Sequence, residues 1–93
     1  MIAADARPRL APKVRVRFDA KTDRLMLLYP ERGMALNPTA ADIVRRCTGE
    51  LTVAEIVAQL AEKYAPQPRA AIEREVVQFL DALADRGLLR NEP

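Results

Sequence analysis

Thr52-Val53-Ala54-Glu55 is the stretch that most narrows what this chain can fold into. Threonine and glutamate three residues apart form a capping box, in which each side chain serves the other residue's backbone N–H and fixes where a helix starts. Leu51 and Ile56 have the spacing of a hydrophobic staple across the same start. Ile56, Val57, Leu60 and Tyr64 then recur at helical spacing, and Pro66-Gln67-Pro68 stops the run. Upstream, Asn37-Pro38 marks an earlier helix start, because asparagine accepts from free backbone N–H groups and proline in the first turn loses no needed donor. Ile43, Val44 and Cys47 are its expected inner face, with Gly49 its expected end. A third helix is predicted from near Arg69 to Arg86, with Ile72, Val76, Phe79, Leu80 and Leu83 inward. Gly87 is placed as its left-handed cap, Leu88 as the residue that folds back on Leu83, and "LLR" as a short extended piece after it.

The segment before the helices reads as strands. "KVRVRF" alternates, with Val14, Val16 and Phe18 expected inward and Lys13, Arg15 and Arg17 forming a cationic outer face. "RLMLLY" is an apolar run of strand length, and "MAL" after the Pro30–Gly33 connection is a third, short strand. Together these give an α+β fold, a three-stranded antiparallel sheet followed by a three-helix bundle. With 93 residues the chain suits one domain, expected over residues 13–90. Residues 1–12, with Pro8 and Pro12, read as a flexible arm, and 91–93 as a C-terminal tail.

Several kinds of chemistry lack their parts. The chain has no histidine and a single cysteine, Cys47, so the usual metal sites and nucleophile–base pairs are missing a member and an internal disulfide is impossible. Glu73/Glu75 and Asp81/Asp85 lie on a helix with arginines nearby and read as a solvated face. No phosphate loop or nucleophile elbow appears, and Cys47 reads as an inert core thiol. No signal segment or membrane-length apolar run is present, which makes the cytoplasm the expected compartment.

Two binding modes fit this architecture. Strands plus three helices can form a winged helix-turn-helix regulator that inserts one helix into DNA. That mode needs cations on the inserted helix, yet the third helix carries Arg69, Arg74 and Arg86 against Glu73, Glu75, Asp81 and Asp85. The basic excess lies elsewhere: residues 1–36 hold eight Lys/Arg against four Asp/Glu, residues 37–93 seven against nine. The other mode is a peptide adaptor, in which an exposed sheet edge accepts an extended chain as an added strand beside a helix. The basic first strand is either a solvated face or a landing surface for an acidic partner.

In order, "LLYPERG", "LNPTAADIVRRC", "GELTVAEIVAQL" and "FLDALADRGLL" resemble the PqqD family of pyrroloquinoline quinone biosynthesis, over about Arg7 to Leu89. The chain departs from the usual pattern at Leu25 and Thr48. The resemblance implies a non-catalytic chaperone without a cofactor, built as a winged-helix-like RiPP recognition element. Such a protein binds the ribosomal precursor peptide PqqA and presents it to PqqE, a radical S-adenosylmethionine enzyme. It implies no nucleic-acid or membrane partner and a monomer or weak homodimer. By the same resemblance the peptide lies between the third strand, Gly33, Met34, Ala35 and Leu36, and the third helix, with Ile72, Val76, Phe79 and Leu80 as candidate contacts.

Overall fold

The computed structural model describes residues 1–30 and 32–92. Eight elements follow in order: β1 (Arg7–Leu10), β2 (Arg15–Asp19), β3 (Arg24–Tyr29), β4 (Arg32–Ala35), α1 (Pro38–Arg45), α2 (Val53–Lys63), α3 (Arg69–Asp85) and β5 (Leu89–Glu92). The three expected strands form the antiparallel sheet β2-β3-β4, and β1 and β5 form a separate two-stranded ribbon. The core lies between β3 and the helices, and includes Leu27, Leu36, Ile43, Ile56, Leu60, Ile72, Val76, Leu80 and Leu83. No described helix is long and apolar enough to cross a membrane.

The helix ends follow their local chemistry. Ala40 N donates to Asn37 Oδ1 at 2.7 Å to open α1. At α2, Glu55 N donates to Thr52 Oγ1 at 3.1 Å and Thr52 N donates to Glu55 Oε1 at 2.9 Å. The backbone N–H and hydroxyl of Thr52 hold the Glu55 carboxyl below the usual carboxylate range. At the end of α3, Gly87 takes φ 71°, so that Leu88 N reaches Leu83 O at 2.9 Å and Gly87 N reaches Ala84 O at 3.0 Å. Those two bonds make the Schellman closure that the glycine was expected to allow. By contrast α1 stops at Arg45, before Gly49; the glycine instead takes φ 85° in the connection to α2.

The flexible arm expected over residues 1–12 is corrected. Ile2, Pro8 and Ala11 are buried, and Ile2 N donates to Asp81 Oδ1 on α3 at 2.8 Å. The segment is held mainly through its backbone, which is why side-chain pattern did not show it. Val53 N donates to Ala6 O at 2.9 Å and Ala54 N to Ala4 O at 3.0 Å, so the arm satisfies two donors that any helix start leaves unpaired. Gly49 N donates to Pro8 O at 2.9 Å, and β1 pairs with β5 from Arg7–Glu92 to Leu10–Leu89. Of the expected tail 91–93, Asn91 and Glu92 belong to β5, while Pro93 lies outside the described residues, as does Glu31 of the Pro30–Gly33 connection.

The first strand is corrected as well. Val16 and Phe18 are 42% and 55% exposed although they sit on the helix-facing side of the sheet. They flank Leu27 and Leu25 in the register, but the helices cover β3 and not β2, which overhangs the core. Alternation thus gave the correct faces and the wrong burial.

Because the N-terminal segment completes the start of α2, deleting residues 1–6 should lower unfolding free energy by about 2–4 kcal/mol, from the lost hydrogen bonds to Val53, Ala54 and Asp81 and the burial of Ile2. Urea denaturation checks this; a truncated chain as stable as the full one contradicts it.

Candidate functional site

The free edge of β4 follows from hydrogen-bond parity. Leu36 N donates to Leu25 O at 2.9 Å, and β3 and β4 continue antiparallel through Leu27–Met34 and Tyr29–Arg32. In such a ladder alternate residues turn both backbone groups toward the partner strand. Leu36, Met34 and Arg32 therefore face β3, and the N–H and C=O of Gly33 and Ala35 face away from it. Their side-chain positions lie opposite Leu28 and Met26, on the side of the sheet turned away from the helices. A Cβ at position 33 would sit 3.0 Å from Leu28 Cδ2, so glycine there leaves room for the Leu28 side chain across the strand pair.

Beyond the end of β4 a groove of about 280 Å³ opens between the start of α1 and α3, lined by Asn37, Thr39, Ala40, Ile43, Glu75, Gln78 and Phe79. Glu75, Gln78 and Phe79 stand three and four residues apart and so share one flank of α3. Phe79 is half-buried, its ring supplying the apolar wall, while Glu75 and Gln78 offer polar groups at the rim. The groove therefore combines an apolar floor with a few hydrogen-bonding side chains, next to an unpaired strand.

The sequence-derived candidates divide sharply. Gly33 and Ala35 are exposed on the open edge, Met34 is half-buried against the core, and Phe79 lines the groove. Ile72, Val76 and Leu80 are sealed in the core, and Leu36 is buried with them; together they hold β4 and α3 in place. A stripe of residues at 72, 76, 80 and 83 leaves the adjacent flank at 75, 78 and 79 for the groove, and the helical period contains that distinction. Asn37, Thr39, Ala40, Ile43, Glu75 and Gln78 were missed as lining residues, since Asn37 carries a capping signal, Ile43 a core signal and Glu75 that of a solvated face, while the others carry none.

On the other side of α1 lies a second groove of about 570 Å³, with Phe18, Leu25, Leu36, Tyr64, Lys63 and Asp42 among its walls. Asp42 was not singled out by sequence, yet it is buried and multiply paired. Lys63 Nζ donates to its Oδ1 at 2.9 Å, the Tyr64 hydroxyl donates to its Oδ2, and Arg46 Nη1 donates to its backbone oxygen at 2.9 Å. Burial alone would push the Asp42 carboxyl up; the hydrogen bonds from Tyr64 and Lys63, with the charges of Lys63 and Arg46, outweigh it and hold the group below 3.8. The same hydrogen bond, received by the carboxylate, raises the Tyr64 phenol. Cys47 is buried, its Sγ 3.2 Å from Ile43 O, and desolvation pushes its thiol up to about 12. A thiol held in that state is a poor nucleophile.

With this geometry in view, the family model described as Coenzyme PQQ synthesis protein D (PqqD) matches residues 24–89. The chain belongs to the PqqD family. Among relatives, a PqqA binding protein of Rhodopseudomonas palustris (strain BisB5) is 39% identical over 88 residues, covering 95% of this chain and 85% of that protein. A PqqA binding protein of Methylococcus capsulatus is 33% identical over 81 residues, covering 87% of this chain and 84% of that one. The solution structure of the PqqD truncation of Methylobacterium extorquens PqqCD, a RiPP recognition element, aligns with TM-score 0.77 at 33% identity, over 94% of this chain and 90% of that chain. Lasso peptide synthetase B1 complexed with the leader peptide also aligns with TM-score 0.77, at 26% identity, over 91% of this chain and 99% of that chain. The PqqD fold is therefore an α+β arrangement of antiparallel sheets and three helices, shared with a protein solved with a leader peptide bound.

The Asp42 cluster makes a pH prediction. Since the folded-state pKa lies below the ordinary 3.8, the unfolded chain takes up its proton first; the stabilisation is present above that value and drains as pH falls through the folded one. Asp42→Asn should cost about 1–3 kcal/mol near neutrality. Denaturation at several pH values should show this difference shrinking below about pH 4, and a constant difference down to about pH 2 contradicts the assignment.

Proposed function

We propose that this chain is a non-catalytic, cofactor-free peptide chaperone of the cytoplasm that takes the ribosomal precursor peptide PqqA as an added strand on β4 and presents it to the radical S-adenosylmethionine enzyme PqqE. The observation that carries this reading is the pair of outward-facing backbone sets at Gly33 and Ala35 beside the Asn37–Phe79 groove. Main-chain hydrogen bonds from an edge provide grip that is independent of sequence, and a flanking pocket selects side chains. Relatives described as PqqA binding proteins support the choice of peptide. A recognition-element relative and a leader-peptide complex of the same fold support the mode.

The three-stranded sheet and the helices that follow it serve, on this reading, as a winged-helix-like frame. Residues 13–90 supply the binding unit, and the N-terminal segment braces it. The leader runs antiparallel or parallel along Gly33–Ala35 and turns a side chain toward Phe79, with Gln78 and Glu75 at the rim. Ile72, Val76, Leu80 and Leu36 contribute by holding the helix and the strand at a fixed separation. The working species is a monomer, since a second copy on the β4 edge would occupy the place of the peptide.

Hydrogen-bond parity along β4 distinguishes two neighbouring substitutions. Ala35→Pro removes an N–H that points outward, so the protein should stay folded by circular dichroism while PqqA binding weakens about tenfold or more. Met34→Pro removes a donor used inside the sheet and should lower stability first. Phe79→Ala should weaken binding while leaving the dispersion of the amide spectrum intact. Titration of labelled protein with PqqA checks all three; unaltered affinity in folded Ala35→Pro refutes the strand-addition reading.

A further inference from the structure

The sheet has a second free edge, and its chemistry differs from that of β4. Since Leu25, Leu27 and Tyr29 turn their backbone groups toward β4, Arg24, Met26 and Leu28 turn theirs toward β2. Their partners Asp19, Arg17 and Arg15 are thereby used, and the N–H and C=O of Val16 and Phe18 face outward. Among the described residues the exposed large apolar side chains are Met1, Val16 and Phe18, so two of the three stand on this one strand. On the opposite face of β2, Arg15 and Arg17 are both exposed, next to Arg24, with Asp19 at the far end.

We propose that the edge of β2 is a second strand-addition site, which accepts an extended segment of a partner protein that alternates acidic and apolar residues. Charge and pattern select that occupant. A strand laid along β2 places its side chains next to those of β2 on each face. Carboxylates on one face of the guest would meet Arg15 and Arg17, and apolar side chains on its other face would meet Val16 and Phe18. Phe18 also borders the groove it shares with Leu25, Leu36 and Tyr64, so an apolar guest residue there has a place to enter. A second copy of this chain fits poorly, because antiparallel pairing of two β2 strands through Val16 sets Arg15 beside Arg17, pairing Val16 with Phe18 sets Arg17 beside Arg17, and in the remaining register, Phe18 against Phe18, the Asp19 that would meet Arg17 already accepts from Lys21 N and Thr22 Oγ1. Nor is β4 equivalent, for it carries Gly33 and Ala35 where β2 carries Arg15 and Arg17. The two edges lie two strand spacings apart, about 10 Å, and each can be occupied while the other is filled.

The test uses the full chain and two capped octapeptides, one alternating glutamate with valine and one alternating lysine with valine, titrated into labelled protein at low salt. The acidic peptide should shift the amides of Val16 and Phe18 and leave Gly33 and Ala35 in place, with affinity that falls in about 0.5 M salt; the basic peptide should do neither. The double variant Arg15→Glu/Arg17→Glu changes only exposed side chains, and should lose affinity for the acidic peptide about tenfold while gaining it for the basic one. The proposal is overturned if Val16 and Phe18 do not respond, if both peptides act alike, or if the shifts centre on Gly33 and Ala35.

Discussion

Both edges proposed to receive another chain depend on β3 being saturated on both sides. In a three-stranded sheet only the middle strand has every backbone group paired, and each outer strand keeps alternate N–H and C=O groups for whatever lies beyond. Leu27, fully buried, anchors that middle strand on the helices and fixes the register of β2 and β4 at once. A slip of one residue on either side would turn the outward-facing set inward and move every side chain to the other face. The proposed function therefore rests on register, and register rests on a small apolar contact.

The second requirement is a rigid neighbour for the β4 edge. α3 meets it by placing Ile72, Val76, Leu80 and Leu83 in the core and closing on Gly87 and Leu88, and it leaves Glu75, Gln78 and Phe79 free on the adjacent flank. The chain ends add to this. β1 and β5 pair across the back of the fold, and the carbonyls of Ala4 and Ala6 complete the start of α2. A protein this small has little core to spare, so backbone bonds from a segment of ordinary composition carry part of the load.

Much of the fold was legible because its signals are local. Asn37, Thr52 with Glu55, and Gly87 with Leu88 each act within a few residues, and each does in the structure what its chemistry allows. Two things could not be seen. Burial of Val16 and Phe18 depends on whether helices reach over β2, which no pattern within the strand records. The order of residues 1–12 depends on acceptors meeting donors from a helix far along the chain, and a carbonyl carries no sequence signature. Of the residues that the family resemblance named, Gly33 and Ala35 are exposed on the open edge, whereas Leu36 and most of the helix residues belong to the core face. Asp42 shows the same limit: its partner Lys63 lies on another helix, and composition treats both as surface charge.

The central claim is that the backbone of Gly33 and Ala35 is free until a leader peptide arrives. Amide hydrogen exchange, residue by residue, with and without saturating PqqA, tests it most directly. In the free protein Leu36, which donates to Leu25 within the sheet, should exchange slowly while Gly33 and Ala35 exchange fast, and the peptide should slow those two by more than about tenfold. Slow exchange at Gly33 and Ala35 before the peptide is added, or fast exchange that persists at saturation, would contradict the account.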